Sequence, residues 1–389
     1  MSKKWVMSAM AAAVAAASAG AAHAQSSVTL YGIIDTGVTY VNNTAGSSQV
    51  SMASGINQGS RWGLLGNEDL GGGLKAIFNL ESEFFVNNGE MAFQNILFNR
   101  RAYVGLRSDQ FGTLVAGRDY DFLYDYVSYY TNVAQFAPAY AFHLADDIDR
   151  LAGEQVQNAV RYETPLWNGV QAGVMYGLDG GNSAVTPHVL SVGIKYSPTG
   201  SFHAPYSISA AYTKTVGGGT TIATPAGTGA TLAQMASGAD SIYTAAVAGQ
   251  VTLDKFSINA LFTYTNQDGI TRMGPMVAKV TSVYEAGVQY HPSPVWTFGV
   301  GDAWIDQHKS GQYNQFSYGV DYRLSKRTDV FVFGTWQRAF GAATNAGLFL
   351  ATTPGLMNQP ALGPEANTAA GLSTTRDQFA TQIGIRHLF

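Results

Sequence analysis

The sequence predicts an all-β fold, a sixteen-stranded antiparallel transmembrane β-barrel. Apolar and polar residues alternate with a period of two in segment after segment. No apolar run of about 18 residues follows the first 24, so helical membrane spans are ruled out. Connections between the alternating segments are short and long in turn, as a membrane barrel requires and stacked soluble sheets do not.

The chain opens with "MSKKWVMSAMAAAVAAASAGAAHAQ". Two lysines, an Ala-rich apolar stretch and the small residues Ala22 and Ala24 around His23 have the form of a secretory leader. Residues 1–24 are therefore expected to be cleaved, leaving 25–389 as the barrel. With no Cys, an exported chain of this length has neither disulfides nor thiolate metal sites, and ladder hydrogen bonds and packing must hold it.

Strands are expected near 28–41, 58–67, 73–86, 98–108, 111–118, 156–165, 168–178, 188–198, 206–214, 242–252, 254–265, 282–291, 294–305, 313–325, 328–339 and 377–389. In "GLKAIFNLESEFF" the residues Leu74, Ala76, Phe78 and Leu80 share one parity, and Lys75, Asn79, Glu81 and Glu83 the other. Near the start, Val28, Leu30, Ile34 and Val38 oppose Thr29, Tyr31, Asp35 and Thr39. At the end, Phe389, Ile385 and Ile383 oppose Arg386 and Gln382. The apolar parity has no helical layer or second sheet to cover it, and the polar parity carries Asp, Glu, Lys and Arg unsuited to a dry core. The apolar side is expected to meet hydrocarbon and the polar side to line water.

Charged residues make up 12% of the chain, about half the share of an ordinary soluble domain. The net charge of -4 and the lack of a basic stripe argue against nucleic acid as a partner. Seven scattered His, no "GxSxG" and no phosphate-cradling loop supply no catalytic centre and call for no cofactor.

The blocks "SSVTLYGIIDTGVTYVNN", "GSRWGLLGNEDLGGGLKAIFNLESEF", "NRRAYVGLRSDQFGTLVAGRDYDFLYD", "NAVRYETP", "LSKRTDVFV" and "GIRHLF", in that order, resemble the trimeric general porins of Gram-negative outer membranes, in their betaproteobacterial branch. The resemblance implies a homotrimer in the outer membrane, among lipid and lipopolysaccharide, passing ions and small hydrophilic solutes passively. A substrate-selective anion or organic-acid porin is the alternative within transport; a non-conducting adhesin or hydrolase barrel is the alternative outside it. The terminal Phe389 resembles the signal read by the barrel assembly machinery.

The same resemblance implies a third external loop folded into the lumen as a constriction, here residues 119–155. This segment shows "QFAPAYAFHLADDIDRLAGEQVQ" where enterobacterial relatives carry a Pro-Glu-Phe-Gly tip. It also implies a basic wall at Arg61, Arg118 and the "NRR" arginines. Parity groups Arg100 with Ala102 and Val104, and Arg101 with Tyr103, so either Arg101 points inward or a bulge turns Arg100 in. Lys75, Arg150 and Arg161 are further basic candidates. The acidic candidates of the loop are Asp119, Asp121, Asp125, Asp146, Asp147 and Asp149, and Asp35, Glu81 and Glu83 are expected along the lumen wall. Acids facing bases across such a pore set ion preference through a transverse field.

Overall fold

The computed structural model describes residues 26–92, 96–143, 148–178, 188–216, 239–270, 278–348 and 373–389, and the leader lies outside them. Their strands are β1 (Ser27–Thr44), β2 (Ser47–Ser54), β3 (Arg61–Gly71), β4 (Leu74–Glu83), β5 (Arg101–Ser108), β6 (Gly112–Tyr120), β7 (Gln155–Glu163), β8 (Val170–Gly177) and β9 (His188–Tyr196), followed by β10 (Tyr206–Val216), β11 (Ser241–Leu253), β12 (Phe256–Asp268), β13 (Val280–Ser293), β14 (Trp296–Gln307), β15 (Gly311–Arg323), β16 (Thr328–Phe340) and β17 (Asp377–Leu388). From β3 onward each pairs antiparallel with the next in sequence, and β17 returns to pair with β1. Among the described strands, closure leaves no free sheet edge.

Seventeen strands make sixteen staves because β2 and β3 share one. The upper half of β1 pairs with β2 and its lower half with β3, with residues 55–60 looping out between. The alternation pattern placed 42–57 in a connection, and the structure corrects this. Ala45 and Gly46, both at positive φ, turn the chain in two residues and start a strand at Ser47. Asp35 organises the interruption: Gly55 N donates to its carbonyl and Gln58 N to its Oδ2 (3.0 Å each), and Ser60 Oγ bonds its backbone on both sides.

The alternation survives in three dimensions. Val28, Leu30, Val104, Val192 and Ile383 are exposed on the outer face, whereas Asn79, Glu81, Ser191, Thr263, Gln315 and Gln382, of the other parity, are buried on the inner one. Aromatic pairs Phe256–Tyr290 and Trp296–Tyr322 sit at the ends of staves next to the short turns. The ladder closes at the carboxyl end, where Phe389 and Gly32 exchange two backbone hydrogen bonds of 3.1 Å.

The connection from β6 to β7 packs against inward-parity residues. It contains the short helical turns Leu123–Val127, Ser128–Tyr130, Asn132–Gln135 and Ala139–Ala141. Phe122 N donates to Ser191 on β9, Asn259 on β12 to the Tyr130 carbonyl, Gln315 on β15 to the Ala141 carbonyl, and Tyr140 to Thr39 on β1. Glycine makes these approaches possible. A Cβ at Gly193 would stand 2.7 Å from Phe122 and 2.8 Å from Tyr126, and one at Gly319 would meet the Phe136 carbonyl.

Candidate functional site

A charged belt on β3 to β7 joins the root of this connection. Arg101 and Glu81 are cross-strand partners on β5 and β4, and Arg61 faces Glu83 on β3 and β4. Arg101 reaches up to Asp119, at the end of β6, and to Asp125 in the connection (2.8 Å). From β7, Arg161 binds Asp119 at 3.2 Å, Glu163 at 3.4 Å and Asp125, and lies 4.4 Å over the Phe122 ring. Arg100 grips Glu81 and Glu83 at 2.5 Å each. Arg61 stands 3.8 Å from Glu81 and donates to the Gly59 carbonyl.

The parity conflict at Arg100 has a local cause. The ladder of β5 starts at Arg101, so Arg100 belongs to the irregular entry and the alternation does not bind it. Both arginines therefore reach inner carboxylates.

Four arginines here meet five carboxylates, Glu81, Glu83, Asp119, Asp125 and Glu163. Burial alone would raise the Asp125 carboxyl, but Arg101 and Arg161 more than reverse that and hold it below the ordinary range. Lys195 on β9 adds a cation held by ring faces, 4.6 Å over Tyr126 and 4.8 Å over Phe202. Neither Glu163 nor Lys195 was among the expected site residues, although each has inward parity on its strand.

Other expected residues lie apart from the belt. Lys75 sits six residues from Glu81 along β4, roughly 20 Å toward the short turn at 71–73. Arg118 pairs in register with Ala102, on the outward parity, and turns its Nε to the Asn99 carbonyl (2.8 Å) and its Nη2 to Gln155 (3.1 Å). Asp121 and Arg150 form a fully buried ion pair of 2.5 Å between the two ends of the connection. Asp149, also fully buried, binds His143 and Thr263. Asp35 is buried at the 55–60 interruption, opposite Arg386, which holds Asp329 at 2.8 Å. Asp146 and Asp147 lie outside the described residues.

Beneath the connection, toward the short turns, an open polar space of about 420 Å³ is lined by Gln135, Gln250, Gln289, His291, Arg323 and Arg386 among others. Among the described residues no three His, Asp or Glu side chains converge as a metal-binding set.

Comparison with known proteins agrees with the barrel fold. The sequence profile of the Gram-negative porins matches residues 11–339. The chain belongs to that family. It is 38% identical over 182 residues to an outer membrane porin protein of Bordetella pertussis, covering 43% of this chain and 46% of that one. Against outer membrane porin protein 32 of Delftia acidovorans the identity is 40% over 169 residues, covering 42% of this chain and 47% of the relative. The chain thus spans about half the length of these two curated relatives. A longer alignment, 26% identical over 344 residues, joins it to the major outer membrane protein P.IB of Neisseria meningitidis serogroup B, with 80% of this chain and 88% of that one covered. Among solved structures, the anion-selective porin from Comamonas acidovorans superposes with a TM-score of 0.70 at 26% identity, over 94% of this chain and all of that one. The fold of this porin is thus an outer-membrane β-barrel that crosses the membrane many times.

Proposed function

We propose that this porin is a passive diffusion channel for ions and small hydrophilic solutes, working as a homotrimer in the outer membrane. The observation that carries this reading is the set of hydrogen bonds from the β6 to β7 connection to inward-parity residues of a closed barrel that turns its apolar residues outward. That placement supports reading 119–155 as the constriction and the belt of Arg61, Arg100, Arg101 and Arg161 with their carboxylates as its charged rim. The proposal involves no reacting group and no cofactor, only a water path with a width limit and oriented charges. Lipopolysaccharide around the barrel and recognition of Phe389 by the assembly machinery belong to the same proposal.

Ion preference follows from the pairing. Anion selectivity, the property for which the Comamonas porin is named, would require uncompensated bases at the rim, whereas here every arginine of the belt has a carboxylate partner. We therefore propose weak selectivity. Recording purified protein in planar bilayers tests the reading: ohmic steps arriving in threes with a small reversal potential support it, and ligand-blocked or strongly anion-selective currents favour the substrate-selective alternative.

A further inference from the structure

The charged belt sits where the β6 to β7 connection leaves the barrel wall, but a second set of polar contacts grips the connection on the far side. Glu285 on β13 is 4% exposed and uses its two oxygens on two points of the connection eleven residues apart. Its Oε1 accepts from the Asn132 backbone N–H, and its Oε2 lies 2.6 Å from His143 Nε2. The other ring nitrogen, Nδ1, lies 2.6 Å from Asp149 Oδ2, which also accepts from Thr263 Oγ1 on β12 at 2.8 Å. His143, Asp149 and Glu285 are all nearly or wholly excluded from water.

A neutral imidazole has one N–H and cannot donate to two carboxylates. The double contact therefore calls for the imidazolium, which closes a carboxylate–imidazolium–carboxylate bridge from strand to connection. Burial opposes that charge, and the two carboxylates outweigh burial, so the ring's pKa stands well above its ordinary value.

Resting on the channel reading, we propose that Glu285 and His143 are positioning residues that set how far the connection stands into the pore, and that the proton on His143 is what keeps it there. Among the described residues, the charged groups facing His143 are Asp149 from the connection and Glu285 from β13, and Thr263 from β12 is the neutral group that holds Asp149. The sign follows from the raised pKa. The bridge contributes fully below the unfolded-state value and is lost as pH rises through the higher folded-state value. Past that point two buried carboxylates face one another without a cation, and the connection detaches from β13.

The test uses the full-length porin and its variants His143→Phe and Glu285→Gln, each first shown to be a heat-resistant folded barrel. Glu285→Gln keeps an oxygen for Asn132, removes the charge and turns an amide N–H donor toward His143 Nε2, where the imidazolium needs an acceptor. Amide exchange of 130–143 should quicken roughly tenfold or more in both variants, as expected for losing a hydrogen bond to a charged group. Bilayer recordings should show larger conductance and entry of larger neutral polymers. The unsubstituted protein should acquire both traits on alkaline titration, and His143→Phe should show no such step. Unchanged exchange in both folded variants, or an alkaline step that persists in His143→Phe, overturns the proposal. A barrel that conducts nothing overturns the channel reading instead, and the exchange measurement still decides the bridge.

Discussion

Arg161 on β7 and Asp119 at the end of β6 stand 3.2 Å apart, and the same carboxylate group holds Arg101 on β5. One acid thus compensates two bases from two strands, and Asp125 repeats the arrangement from the connection. Replacing both acids, Asp119→Asn with Asp125→Asn, leaves Arg101 and Arg161 without their shared partners. The permeability ratio should move toward anions, read as a reversal-potential shift in a salt gradient.

The complementary substitutions separate the belt from its surroundings. Arg101→Ala with Arg161→Ala should move the reversal potential toward cations. Arg118→Ala, whose side chain serves the Asn99 carbonyl and Gln155, should leave it where it is. A shift from Arg118→Ala as large as that from the pair would contradict the assignment of the belt.

The buried pair of Asp121 and Arg150 ties the start of the connection to its end. Removing one partner of a buried pair typically costs about 3 to 5 kcal/mol, because the other charge stays behind unpaired. Asp121→Ala should therefore raise amide exchange across the connection while the barrel strands keep their protection, a contrast that mass-resolved exchange reads directly.

The inner glycines make a prediction of the opposite kind. Gly193→Leu inserts atoms where Phe122 and Tyr126 already lie against the wall. Overpacking of this sort costs about 1 to 3 kcal/mol. The barrel should form, with altered conductance because the connection must shift; unaltered conductance would mean that the contact does not position it.

Most of the barrel was legible because a membrane wall repeats one rule at every stave. The parity of Leu74, Ala76 and Phe78 against Lys75, Asn79 and Glu81 is visible without coordinates, and all sixteen staves follow from such runs. Residues 47–54, "SSQVSMAS", escaped because their inner parity, Ser47, Gln49, Ser51 and Ala53, carries no charge to contrast with Val50 and Met52. The belt was legible in part. Arg61, Arg100, Arg101 and Arg161 stood out as bases, but their partners depend on register and on a connection with no period. Asp149 and Asp121 read as acids of the constriction loop, but nothing in the sequence shows that they are buried against residues far along the chain, Thr263 and Arg150. The overlooked trace of the packed connection was glycine at inward positions of distant strands, Gly193, Gly299 and Gly319, where alternation alone asks for a polar side chain.

Orientation of the two faces can be tested at one position. Val192 lies on the outward parity in the middle of β9, flanked in register by Val174 and Tyr212. Val192→Arg should destabilise the barrel in lipid by up to about 2 to 4 kcal/mol, the usual penalty for Arg on the lipid face near the midplane. Urea unfolding in bilayers of defined thickness measures it.

The proposed water-filled interior is tested most directly by single-channel recording of the purified, folded protein in a planar bilayer. Ohmic conductance steps in groups of three, with a small reversal potential in a salt gradient, are the predicted result. A folded barrel that inserts and passes no current would contradict it.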